Sequence, residues 1–300
     1  MRDTANILDL GEIDSPLLVY GGTYSNLQAT TALLQVADRM GIPPERRLHT
    51  GDIVAYCADA EATTRAVMAA GGAVVRGNCE DSFGTGAGDC GCGFETGSAC
   101  DLLSRGWYAH ADATLSADSR AVMASAPAAI RFRMAGRTIL AIHGGTRQVN
   151  RFVFASDRAA LAEELDHARQ WAGADIVLGG HCGIPFHAAM NGGHWLNAGV
   201  VGMPANDGDP RTVFLVLTPE RAGIAVRFHR LAYDHQAAAA AMHAAGLAAD
   251  YARALTTGFW PNMDILPAAE RAAAGRPLAL PDVIIPAGPA TAGQVSRRAG

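Results

Sequence analysis

Four side chains with metal-binding chemistry stand where short apolar runs end. Residues 47–50 run into Gly51-Asp52, 73–76 into Gly77-Asn78, 138–142 into His143-Gly144, and 175–178 into Gly179-Gly180-His181. Asp, Asn and His all ligate divalent metals, and imidazole mixed with carboxylate suits Mn, Fe, Zn or Ni better than Ca. The adjoining glycines let the backbone turn sharply, so that each side chain can face a common point. Taken singly, each residue has an ordinary explanation. An Asp after Gly is commonly a turn residue or helix cap, and a His near a strand end is commonly hydrogen-bonded filler. Four such residues, in order and each at a strand terminus, favour a shared cation.

The runs that must position them read as buried strands with a turn at the carboxyl end. Another run, residues 17–20, ends in Gly21-Gly22. Helical patterns lie between them at 26–40 and 60–70, and again at 157–171. This βαβαβ alternation predicts a parallel sheet, whose ligand sites lie at the carboxyl ends of the strands. From Trp195 onward, strands at 195–197, 212–217 and 224–230 are joined by short polar turns and predict an antiparallel portion. Residues 234–255 read as one Ala-rich helix or two. We expect one domain over 1–255, with a Gly/Cys-rich insertion at about 84–100 that is too long for a plain connector. Residues 256–300 read as a loosely held Pro/Ala-rich tail without chemistry of its own.

Composition narrows the function. The chain has 300 residues, 49% hydrophobic and 18% charged, with a formal net charge of −5, which argues against a nucleic-acid surface. All 24 basic residues are Arg, so chemistry that needs a Lys Schiff base or a P-loop lysine is excluded. No stretch reads as a signal peptide or a membrane span, and the expectation is a cytoplasmic protein with reduced thiols.

The blocks Gly21-Gly22-Thr23-Tyr24-Ser25-Asn26, Gly51-Asp52, Gly77-Asn78-Cys79-Glu80, His143-Gly144, Gly180-His181-Cys182-Gly183 and Asn197-Ala198-Gly199 follow one another in order over residues 15–235. In this the chain resembles the calcineurin-like metallophosphoesterases. The resemblance implies an α/β fold, a four-layer α/β/β/α sandwich, with a two-metal site at the strand ends that hydrolyses phosphate esters. It assigns Asp52, Asn78, His143 and His181 as ligands of the second metal. Three ligands of the first metal are replaced: Gly22 stands for an Asp, Tyr24 for a His and Gly183 for a His. Cys79 stands where the family has a His acid. The losses sort by metal, which implies a mononuclear site, or a second site rebuilt from other groups.

The expectation is therefore a hydrolase of a small-molecule phosphomonoester or phosphodiester, using one divalent transition metal (Mn, Fe, Zn or Ni) and a metal-activated water. Cys79 and Glu80 are the candidate acid/base groups, and Arg147 and Tyr24 the candidate substrate contacts. Cys79, Cys90, Cys92 and Cys182 could supply further ligands, for a second metal or an iron–sulfur cluster; the ordinary alternative is buried thiols or a loop-closing pair. Two rival functions stay open: a catalytically silent metal-binding or sensing module, and a thiol-assisted iron enzyme with non-hydrolytic chemistry. The chain is expected to bind neither nucleic acid nor membrane, and a homo-oligomer is left open.

Overall fold

The computed structural model describes residues 6–93 and 97–289. The first half of the chain gives β1 (Ile7–Glu12), β2 (Leu17–Tyr20), α1 (Leu27–Arg39), β3 (Arg47–His49), α2 (Ala60–Ala69), β4 (Ala73–Val74), α3 (Asn78–Thr85), α4 (Ala99–Thr114), α5 (Ala117–Ser125), β5 (Ala129–Met134) and β6 (Arg137–Ala141). The second half gives α6 (Arg158–Ala172), β7 (Ile176–Gly179), β8 (Phe186–Met190), β9 (Gly193–Asn197), β10 (Thr212–Glu220), β11 (Gly223–Leu231), α7 (His235–Ala244), α8 (Ala249–Thr257), α9 (Ala268–Ala273) and β12 (Val283–Pro286).

The strands form two six-stranded sheets, ordered β1-β5-β6-β7-β9-β8 and β12-β11-β10-β2-β3-β4. In the first, β6, β7 and β9 run parallel; in the second, β2, β3 and β4 do. The sheets pack face to face. Leu17, Val19, Leu48 and Leu215 of one meet Ile130, Ile139, Ile176 and Leu196 of the other in a single buried core. Each such side chain contributes roughly 1.5–3 kcal/mol by leaving water. The outer face of the first sheet is covered by Leu161, Leu165 and Ala168 of α6, and that of the second by Leu33 and Ala37 of α1. These are the four layers of an α/β/β/α sandwich.

Local sequence explains where the helices begin. Asn26 caps α1 by accepting from Ala29 N at 3.0 Å, and its Nδ2 donates to Gly202 O at 3.1 Å, which ties the helix start to a distant loop. Helix α3 begins directly after Gly77, and Glu80 reaches back to Gly77 N at 2.8 Å as the third-position carboxylate of a capping arrangement.

Three expectations need correction. Part of the 84–100 insertion is helical, since α3 runs to Thr85 and α4 starts at Ala99; residues 94–96 of that insertion lie outside the described residues. The segment read as a loosely held tail belongs to the fold as far as it is described. β12 pairs antiparallel with β11, Ile285 is fully buried, and Leu266 packs beside Phe154 and Cys182. The reason is that β11 would otherwise be an open sheet edge, which Val283–Pro286 covers with matching backbone hydrogen bonds. The last stretch, 290–300, lies outside the described residues. Third, the cysteines are not all free: Cys90 and Cys92 are bonded to each other across a turn at Gly91, while Cys57, Cys79, Cys100 and Cys182 are free and buried. Among the described residues no helix is long and apolar enough to cross a membrane.

One acid-sensitive joint follows from the packing of α2 on α5. Burial raises the Glu61 pKa, but hydrogen bonds from Ser116 N, Arg65 and Ser119 Oγ outweigh it and hold the value at about 2. A carboxylate with a depressed folded pKa stabilises above its unfolded pKa, and that contribution fades as pH falls through the folded value. Glu61→Gln should therefore flatten the loss of stability between about pH 4.5 and 2, as read by urea unfolding across that range, while wild type steepens there.

Candidate metal centre

The carboxyl ends of β3 and β4 in one sheet meet those of β6 and β7 in the other. Gly51 and Asp52 make the tightest turn, with φ of +97° and +63°. A Cβ at Gly51 would lie 2.7 Å from His143 Nδ1 and 2.8 Å from Gly77 N, so only glycine fits between the two sheets here. The left-handed conformation of Asp52 costs about 1–2 kcal/mol for a residue with a side chain. It is held by Glu80, whose carboxylate accepts from Asp52 N at 2.7 Å, Ile53 N at 2.7 Å and Gly77 N. His49 steadies the same turn by accepting from Gly51 N at 2.9 Å, and burial pushes its pKa down to about 3, so it remains neutral.

The four strand-end side chains meet. His143 Nε2 lies 2.9 Å from His181 Nδ1, 3.1 Å from Asn78 Oδ1 and 3.2 Å from Asp52 Oδ2. His143 Nδ1 lies 2.7 Å from Thr50 O, and a carbonyl can only accept, so Nδ1 carries a proton; in the neutral ring the Nε2 lone pair then points inward. Asn78 is oriented in the same way: its Nδ2 donates to Cys90 O at 2.8 Å, which turns Oδ1 toward the histidines. All four residues are buried. The acceptor oxygens of Asp52 and Asn78 thus crowd one buried ring nitrogen in a place water does not dilute, an arrangement that a positive charge resolves, whether a proton on Nε2 or a metal ion. Donor atoms each about 2.0–2.2 Å from one ion sit about 3 Å apart, which is the spacing found. The residues fit a divalent transition metal.

The charges point the same way. Burial disfavours the Asp52 carboxylate, but His143 beside it more than offsets this and holds its pKa below the ordinary value. Burial likewise opposes a charged His143, and Asp52 overcomes it and raises the pKa. His181, pushed down to about 3 by burial and by its neighbour His143, stays neutral. The quartet accommodates one extra positive charge.

Beside the quartet, the space that the other three family positions would use is filled with apolar groups. A Cβ at Gly22 (φ +40°) would lie 2.6 Å from both the Tyr24 ring and Val200 Cγ1. A Cβ at Gly183 (φ +73°) would touch the Trp260 indole at 3.4 Å. Tyr24 thus occupies room that a side chain at residue 22 would need. Tyr24, Val200, Gly183 and Trp260 line a cavity that also reaches Asp52 and His181.

The remaining sequence candidates are placed as follows. Tyr24 lines the cavity. Cys79 is buried behind Asp52, donating its backbone N–H to Asp52 Oδ1 at 3.1 Å, and is not among the residues lining the cavity. Glu80 has its oxygens engaged by backbone N–H groups, which suits a brace and not an acid that meets substrate. Arg147 pairs with Glu163 at 3.2 Å on α6, away from the quartet. Cys182 accepts from Asn197 Nδ2 at 3.1 Å. Cys92 and Cys182 line the cavity, yet among the described residues the close-set group of His, Cys and carboxylate ligand atoms is Asp52, His143 and His181, with no sulfur in it. Sequence reasoning passed over His49, Thr50, Tyr56, Tyr251 and Trp260. His49 and Thr50 directly precede the Gly-Asp turn, which was a usable signal; the aromatic residues carry none without the fold. Because Tyr24 fills the neighbouring space, Gly22→Asp should lower stability by about 1–3 kcal/mol through overpacking and add no second equivalent of metal. Thermal unfolding with elemental analysis checks this, and a second equivalent at unchanged stability would contradict it.

Comparison with known proteins bears on the family and the fold. Residues 17–221 match the model of the calcineurin-like phosphoesterase superfamily domain. The hypothetical protein PH1004 from Pyrococcus horikoshii OT3 has a similar structure, with a TM-score of 0.68 at 16% identity over 82% of this chain and 99% of that one. A metallophosphoesterase from Sphaerobacter thermophilus superposes with a TM-score of 0.61 at 21% identity, covering 82% of this chain and 100% of its own. At these identities the two structures speak for the fold alone. No curated protein matches the chain. The strand-end site, the paired sheets and a family match over more than half of the length lead to one conclusion: the chain belongs to the calcineurin-like phosphoesterase superfamily.

Proposed function

We propose that the protein hydrolyses a phosphate ester at a mononuclear metal centre held by Asp52, Asn78, His143 and His181. The observation that carries this is the convergence of Asn78 Oδ1, Asp52 Oδ2 and His181 Nδ1 to within 3.2 Å of the buried His143 Nε2, whose ring is held in place by Thr50 O. A divalent ion there supplies Lewis acidity toward a phosphoryl oxygen and lowers the pKa of a water. The family match supports phosphoester chemistry, and the packing of Tyr24 and Val200 over Gly22 supports a single ion.

The chain's own residues have separable tasks. Asp52 supplies the one negative charge of the ligand set. Thr50 O and Cys90 O fix which atoms of His143 and Asn78 face inward, as outer partners of metal ligands commonly do. Glu80 holds the Asp52 turn against the start of α3. Tyr24, whose pKa burial and then Asp52 raise well above the ordinary value, stays protonated and offers a hydrogen-bond donor to a substrate oxygen in the cavity. Water is excluded from the ligand side by the close packing of both sheets beneath it.

The test uses the metal-loaded protein with 4-nitrophenyl phosphate and bis(4-nitrophenyl) phosphate. His143→Ala should abolish bound metal and turnover together, and a chelator should abolish turnover in wild type, with recovery on adding Mn. Turnover retained in His143→Ala would remove this centre from the reaction.

A further inference from the structure

We infer that the cavity beside the quartet takes the aryl group of a phosphodiester monoanion. This rests on the reading of the quartet as a phosphoester hydrolase centre, and narrows it to a substrate class. The cavity opens from Asp52 and His181, and its walls are aromatic. Tyr56 packs edge-on to Tyr24 with centroids 4.8 Å apart and lies 4.8 Å from Tyr251. Phe152 lies against the His181 ring at 4.2 Å. Trp260 is fixed at both ends, its Nε1 donating to Pro204 O at 2.7 Å and its backbone N–H to Asn206 Oδ1 at 2.8 Å. Rings held in this way pack against a flat aromatic ligand without first being ordered by it.

Charge selects the diester. Asp52 is the only acidic or basic side chain besides His181 among the described residues that line the cavity. Arg76, Arg147 and Arg151, which follow the same strand ends, are paired with Asp81, Glu163 and Glu164 and do not line the cavity. With the attacking water still neutral, a divalent ion beside one carboxylate would leave a single positive charge, which one diester oxyanion neutralises. A monoester dianion would bring a second negative charge with no cation to meet it. An aryl oxide also leaves as a stable anion and needs no proton from the cavity wall. In the reaction the oxygen of water forms a new bond to phosphorus, the bond from phosphorus to the aryl oxygen breaks, and the water proton passes to solvent or to the departing aryl oxide.

Non-hydrolysable phosphinates separate binding from turnover. Calorimetry on the metal-loaded full chain should show diphenylphosphinate binding at least about tenfold more tightly than dimethylphosphinate, as expected for burial of aromatic surface, and more tightly than the dianion phenylphosphonate. Trp260→Leu and, on a separate wall, Tyr251→Leu should each reduce the diphenyl-to-dimethyl ratio about fivefold, the size of an aromatic contact, with metal content unchanged. Equal affinity for the two phosphinates, tighter phenylphosphonate, or a ratio that survives in both folded variants would overturn the assignment; if neither variant folds, the wild-type ratio decides. Turnover of bis(4-nitrophenyl) phosphate is measured alongside. Phosphinate selectivity without turnover supports the cavity assignment and removes the hydrolase reading; turnover without selectivity does the reverse.

Discussion

A buried nitrogen surrounded by acceptors is the constraint on which the site depends. With its proton committed to Thr50 O, His143 presents a lone pair to Asp52, Asn78 and His181. For the neutral ring the contacts to Asp52 and Asn78 are unfavourable without a positive charge between the atoms, and burial removes the water that would screen them. The fold maintains this arrangement through backbone geometry. Gly180 N and His181 N both bond to His143 O, at 2.9 and 3.0 Å, so the two histidine loops move as one. Gly51 admits the close approach of the other sheet, and Glu80 holds Asp52 in a conformation it would not adopt alone. Stability of the two-sheet sandwich and geometry of the metal centre are thus the same problem, solved at the strand ends.

The neighbouring space is built differently from the quartet. Gly22, Tyr24 and Gly183 are a compensated set, since the Tyr24 ring fills the volume beside Gly22 and the Trp260 indole lies against Gly183. An apolar, aromatic cavity now stands where polar ligands would otherwise gather, joined to the surviving quartet through Asp52 and His181. The result is a centre with one face of charge and one face of rings.

Much of this was legible because glycine punctuates the parallel strands. The runs ending at Gly21, Gly51 and Gly179-Gly180 are buried strands of four residues or fewer, the one ending at Gly77 is a half-buried strand of two, and the polar residue after the turn stands out from apolar surroundings. β1 and β5 were not legible. Their exposed positions carry Asp9, Glu12, Arg131 and Arg133, whose cross-strand ion pairs appear only once the chain folds. β12 was hidden by Pro and Ala-rich flanks, and its strand character comes from pairing with β11 and not from local preference. The same blindness covered Trp260, which sits in a segment without periodicity and reaches the cavity because Asn206 and Pro204 anchor it. Among the cysteines, sequence showed which were adjacent to ligands but not which way their sulfurs faced.

Diffraction from crystals soaked in Mn or Zn, recorded across the metal's absorption edge, tests the central claim most directly. The account predicts one anomalous peak, enclosed by Asp52, Asn78, His143 and His181. A second peak beside Tyr24 and Val200, or a lone peak on the cysteine sulfurs, would contradict it.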